Sequence, residues 1–344
     1  MVWQNGLGTR EERFVMTASG LRRIAMAMLL LAGVVGCRTP APRAAQASLT
    51  PPPKPVGKPL MDFARGFGGL PLKPEIVPDS PETLARSIHA SLGERLTDSS
   101  PRPRVVVDAA SLDRLEHLSL DLSGCQVRAD YRPRAMSEPE PPQPLFHAHR
   151  FEYLASPLRY ARGATSLTIR ANDVTFGRLT DQKGRVALAL MDVGQGEMEF
   201  AIPTASLGPI LADAASQHSR GGLRISQVKV DVQSRHRRSL DVVVVAQGRW
   251  LLLPMKMRMT MTMEIDPSFH AEFSNVVVNG EDVGGKLFAG IAERALQKLE
   301  KERRPIASWP DQRVKLQDVE IAVDDHLRFR ARFGREILAY TPLE

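Results

Sequence analysis

Residues 251–265 read Leu-Leu-Leu-Pro-Met-Lys-Met-Arg-Met-Thr-Met-Thr-Met-Glu-Ile. Leu251, Leu253, Met255, Met257, Met259, Met261, Met263 and Ile265 share one parity, and Lys256, Arg258, Thr260, Thr262 and Glu264 share the other. Apolar side chains at period two are the mark of a half-buried strand, because successive side chains point to opposite faces of a sheet. At ~3.3 Å per residue such a strand runs about 50 Å. The longest helical pattern downstream, 283–301, spans about 29 Å at 1.5 Å per residue. Leu287, Ile291, Ala295, Leu296 and Leu299 form its apolar stripe. A strand longer than the helix packed on it must curve or overhang. The expected fold is therefore α+β: a long, strongly curved antiparallel sheet wrapped around one or two long amphipathic helices.

The flanking pattern agrees. A helix is expected over 81–96, capped by Ser80 with Pro81 at its first position, and Leu84, Ile88, Leu92 and Leu96 recur at helical spacing. Leu118, Leu120 and Leu122 then alternate with polar residues. From about 150 the chain reads as strands joined by turns, with Asp181–Gly184 as one turn and Gly194–Gly196 as a break. A short helix is expected over 205–217, strands over 223–232, 240–246 and 269–278, and a closing pair over 314–323 and 327–333. Parity slips between Ile225 and Val228 and between Leu316 and Val319, as a β-bulge requires. The Pro-rich stretch 132–144 reads as an exposed loop.

Five of the 13 methionines lie on the 251–265 face. Methionine is flexible and polarizable, and suits surfaces that bind variable apolar partners as well as irregular cores. Two readings follow. In one, Leu253, Met255, Met257, Met259, Met261 and Met263, opposed by Leu287, Ile291 and Leu296, line a groove for acyl chains. In the other the same face is solid core.

The N-terminus sets the location. Arg22 and Arg23 precede an apolar run, Ile24–Val35, too short to span a bilayer and suited to a signal peptide. The start is Met1 or Met16. Val34-Val35-Gly36-Cys37 resembles the lipobox of bacterial lipoproteins, which implies acylation (palmitate) of Cys37. Arg38, where an aspartate would signal retention, favours the outer membrane, with the domain facing the periplasm or the cell surface. Residues 37–80 hold ten prolines and no periodicity. They read as a tether reaching on the order of 100 Å in extended form. The expected organisation is signal peptide 1–36, tether 37–80 and one domain over 81–341. Cys125 is then unpaired and reads as a buried, inert thiol.

The order of elements, with Glu199–Leu207 running from strand into short helix before two long hairpins, a helix and a closing hairpin, resembles the LmeA-like phospholipid-binding proteins. The likeness covers about 112–334. It implies a TULIP-like half-barrel with an apolar cavity between curved sheet and helix, and carries no catalytic residues.

The whole chain of 344 residues is 43% hydrophobic and 25% charged with net charge +7, a globular composition. An exported chain without clustered aromatics among its arginines does not point to nucleic acid. Arg235, Arg237 and Arg238 fall in a hairpin tip and are candidates for contact with anionic headgroups. Arg328, Arg330 and Arg332 share one sheet face. His147 and His149 alone are too few for zinc, and Asp324-Asp325-His326 reads as a turn. No nucleophile elbow, zinc-protease or phosphate-loop motif occurs, so no enzyme, cofactor or metal is expected. The sequence thus points to an envelope lipoprotein binding phospholipid or another acyl ligand. The alternative is a structural or assembly lipoprotein binding an envelope protein or polysaccharide through its loops. A hydrolase ranks third.

Overall fold

The computed structural model describes residues 54–57, 61–62, 70–72, 77–128, 142–160, 162–182, 184–217, 223–250, 253–308 and 314–335. Segment 1–36, Cys37, most of the Pro-rich loop, Leu251 and Leu252 lie outside them, as does the side chain of Ile291.

The chain is sheet-rich α+β. In order it forms β1 (Met61–Asp62), β2 (Leu70–Pro71), α1 (Pro81–Gly93), β3 (Arg104–Asp108), β4 (Arg114–Asp121) and β5 (Gln126–Val127). Three long strands follow, β6 (Gln143–Tyr160), β7 (Gly163–Thr180) and β8 (Val186–Pro203), then α2 (Thr204–Gln217). Next come β9 (Leu223–His236), β10 (Ser239–Trp250), β11 (Leu253–Ile265), β12 (His270–Gly280) and α3 (Val283–Glu300). The chain closes with β13 (Arg303–Pro305), β14 (Ala307–Ser308), β15 (Val314–Val323) and β16 (His326–Arg335).

Two principal sheets form instead of one. The first has five antiparallel strands in the order β13-β12-β11-β10-β9. The second has nine strands, with β15-β16-β8-β7-β6-β4-β3 as its main path. It is mixed, because β4 and β5 pair parallel to β6. One face of the larger sheet packs with α1, whose Leu84, Ile88, Leu92 and the following Leu96 are buried. A polar row lies on its other face, which also carries the small buried cluster Leu179, Ala187 and Ala189. Arg332, Glu197, Arg170 and Glu152 stand in register across β16, β8, β7 and β6. Arg170 lies 3.7 Å from Glu197 and 3.6 Å from Glu152.

Several sequence signals had a different structural meaning. Gly194 and Gly196 do not break a strand, since β8 runs on through them. A Cβ on Gly196 would lie 2.5 Å from the Phe333 ring, so that glycine makes room for a neighbouring side chain. Gln143 and Pro144, at the end of the expected loop, belong to β6 and pair with Arg178 and Gly177. Asp181–Gly184 does turn the chain, with Gly184 at φ 75° and its N–H donating to Asp181 O. Both expected bulges are present, as register slips at Ser226 and Gln317.

Parts of the stretch expected to be tether pair with the folded chain. Val56 bridges to Arg303, Lys54 Nζ lies 3.2 Å from Glu272, β1 pairs with β14 and β2 with β8. Leu72 is fully buried. Parts of 54–72 thus belong to the folded unit. The covalent reach from Cys37 to Lys54 is at most about 60 Å.

The entry to α3 is fixed by glycines. Asp282 caps the helix, accepting from Gly285 N at 2.6 Å. A Cβ on Gly284 would sit 2.3 Å from Pro254 O, and one on Gly285 2.2 Å from Lys256 O. The helix therefore lies flush against the backbone of β11 with no space for a methyl group. Gly285→Ala is expected to lower stability by about 1–3 kcal/mol through overpacking against backbone. Gly290→Ala, where a Cβ would meet nothing within 4 Å, is expected to be neutral or stabilising. Chemical denaturation of the two variants checks this contrast.

Candidate functional site

The methionine row is roofed by α3. Met255, Met257, Met259 and Met261 are buried, with exposures of 2–8%. They share a cluster with Phe273, Phe288, Ala289, Ala292, Leu296 and Leu299. Met263 is half-buried and touches this cluster and the core of the larger sheet. Of the side chains expected to oppose the row, Leu296 does so. Leu287 is 55% exposed and Leu253 is 41% exposed.

The helix stripe is thus rotated from the one expected. Gly284, Phe288, Ala292 and Leu296 are each four residues apart, so they share a face. The close approach at Gly284 and Gly285 commits that face to the sheet at the first turn, and Phe288 follows it inward. Reading only large apolar residues selected the neighbouring face, through Leu287. The glycines were the available signal.

The hairpin tip between β9 and β10 docks onto the edge strand of the larger sheet. Ile321 N donates to Arg237 O at 2.7 Å, and Ile265 N donates to Arg238 O at 2.8 Å. Asp318 receives Arg237 at 2.5 Å, Arg332 at 3.0 Å and Arg238 at 3.3 Å. The Arg238 guanidinium also lies 5.2 Å from the Phe269 ring centre, at cation–π range. Arg235 pairs with Asp241, which accepts from Thr262 at 2.7 Å as well. The candidate headgroup-binding arginines are therefore engaged by carboxylates of the same chain, although Arg235 and Arg237 keep 57% exposure. The arginines of β16 are paired too: Arg328 with Asp324 at 2.7 Å and Arg330 with Glu199 at 3.0 Å.

The remaining candidates are structural in their surroundings. Cys125 is buried, donates to Pro101 O at 3.3 Å, and burial pushes its thiol pKa up, away from a reactive thiolate. His149 Nδ1 lies 3.1 Å from Asp173, which sits at φ 52°, and His147 Nε2 lies 3.8 Å from the same carboxylate. Among the described residues no group of three or more His, Cys, Asp or Glu is placed to hold a metal ion. Asp324 accepts from His326 N at 2.8 Å inside a turn.

No family model matches the sequence, and neither a curated protein nor a solved structure matches it. Among the described residues no helix is long and apolar enough to cross a membrane.

The Arg332 hydrogen bond, aided by Arg237 and Arg238, lowers the Asp318 pKa below the ordinary carboxylate value. A carboxylate with a depressed folded-state pKa stabilises above its unfolded value, about 3.9, and loses that contribution as pH falls through the folded one. Asp318→Asn is expected to cost about 1 kcal/mol at pH 7, a figure discounted for solvent screening. In urea titrations the difference between the two proteins should begin to shrink as pH falls below about 4 and vanish only once pH passes below the lowered folded-state pKa of Asp318.

Proposed function

We propose that this protein is an envelope lipoprotein that seats phospholipid or another acyl ligand between β11 and α3. The methionine row carries the reading. Four consecutive inward positions of β11 are methionine, and they share one apolar cluster with the buried face of the helix. Branched residues would specify a rigid core better, whereas methionine re-packs around chains of different length. The helix is held at its start by Gly284 and Gly285 and near its end by Glu300, which accepts from Val276 N at 2.8 Å. Between them the buried Phe288, Ala289, Ala292 and Leu296 face the methionines, so an acyl chain enters by lifting the middle of α3 from them. Each buried CH₂ would contribute ~0.8 kcal/mol. No covalent chemistry is involved. The lipobox-like Cys37 supports the envelope location, and the order of elements supports a TULIP-like arrangement of curved sheet around helix.

The burial of Met255 through Met261 favours the second reading, in which the row is permanent core and the protein is an assembly lipoprotein working through its loops. Native mass spectrometry separates the two. The protein purified from a bacterial envelope should carry lipid or take up added phospholipid, and Met257→Gln/Met259→Gln should abolish uptake while the chain stays folded. A lipid-free protein that takes up none contradicts the acyl-ligand proposal. Unfolding by the double substitution assigns the row to core.

A further inference from the structure

Five large apolar side chains are exposed among the described residues: Val56, Leu253, Val277, Val283 and Leu287. Three of them gather at one end of the five-stranded sheet. Val283 and Leu287, 68% and 55% exposed, are one turn apart on α3. The close approach at Gly284 brings Leu253 to the same place, since a Cβ on that glycine would lie 3.3 Å from Leu253 Cβ. The platform is rigid, because the helix start is packed against the β11 backbone.

The surroundings are basic. Arg249 and Arg224 are paired in register at the ends of β10 and β9, and both are exposed. Lys286, also exposed, stands between Val283 and Leu287 in sequence. None of the three has an acidic partner among the described residues. The local acids are both occupied: Glu281 by Lys256 at 2.5 Å, and Asp282 by the helix cap. An apolar tip within a cationic rim matches the boundary between acyl chains and anionic headgroups.

Chain length permits the contact. Lys54 meets Glu272 on β12, and the apolar end lies beyond Gly280, eight residues along that strand, or about 26 Å. The covalent reach from Cys37 to Lys54, about 60 Å, exceeds this distance. An acyl anchor and the apolar tip can therefore enter one bilayer.

The geometry points to the Leu253–Val283–Leu287 end as a membrane-inserting tip that docks on an anionic phospholipid surface. The anchor-length step rests on the lipoprotein reading. The tip itself rests on neither Cys37 acylation nor a ligand seat, so vesicle binding by an unlipidated chain tests it separately.

The test is flotation of the full chain carrying Cys37→Ser with vesicles of phosphatidylglycerol and phosphatidylcholine, or of phosphatidylcholine alone. The chain is expected to float with the anionic vesicles and to bind the neutral ones more weakly. Leu287→Asp and Val283→Asp should each weaken binding about tenfold or more, because a buried apolar side chain is replaced by a charge. Arg249→Glu should weaken binding to the anionic vesicles alone. Val56→Asp, at the other end of the sheet, should have no effect. All four positions are exposed, and circular dichroism confirms folding. No binding to anionic vesicles, or binding unchanged by Leu287→Asp and Val283→Asp, overturns the proposal.

Discussion

The structure depends on one joint. The five-stranded sheet, with α3 and α2 packed on it, does not complete a core of its own toward the β9–β10 tip. The β9–β10 tip removes that problem by seating its backbone on the outer edge of β15. Edge strands present unpaired backbone groups that invite association, and here Arg237 O and Ile321 N satisfy part of that edge. Asp318 fixes the register by receiving three guanidinium groups. The β-bulge at Gln317 adjoins it. Around the joint, Val232, Leu240, Ile265 and Ile306 of the smaller sheet's region enter the core of the larger one. The two cores thus share a wall, which Met263 completes.

Elements governed by local periodicity were legible in the sequence. The helices, the long β11 strand and the two bulges each have a signature within about ten residues. What was not legible depended on distant neighbours. Whether β9 to β12 join the later hairpin or separate from it is decided by pairing across the chain, and periodicity carries no pairing information. Gly196 looked like punctuation because its partner, Phe333, is remote in sequence. Tip arginines looked like a solvent-facing cluster because Asp318 lies some 80 residues away. Leu287 looked like core because the helix face is set by Gly284 and Gly285, whose small size matters only once β11 is beside them. The Pro-rich segment before α1 looked like free spacer, yet Leu72 is buried and Val56 pairs with Arg303.

These corrections give the five-stranded sheet a direction. Its 236–238 end is committed to the rest of the chain by backbone bonds, ion pairs and a shared core. Its opposite end carries the exposed Leu253, Val283 and Leu287, basic groups without an acidic partner among the described residues, and the fixed start of α3. The methionine row lies between, running from the exposed end toward the joint. Met255 lies nearest the exposed end and Met263 nearest the joint.

A depth measurement in bilayers tests this directional account most directly. A nitroxide placed by Leu287→Cys in the Cys37→Ser chain, with Cys125 buried and shielded from labelling, reports the tip. The same label at Arg237→Cys reports the joint. With anionic vesicles present, the account predicts that position 287 becomes accessible to oxygen and shielded from an aqueous nickel chelate, while position 237 stays aqueous. Equal aqueous accessibility at both positions, or insertion at position 237 in place of 287, would contradict it.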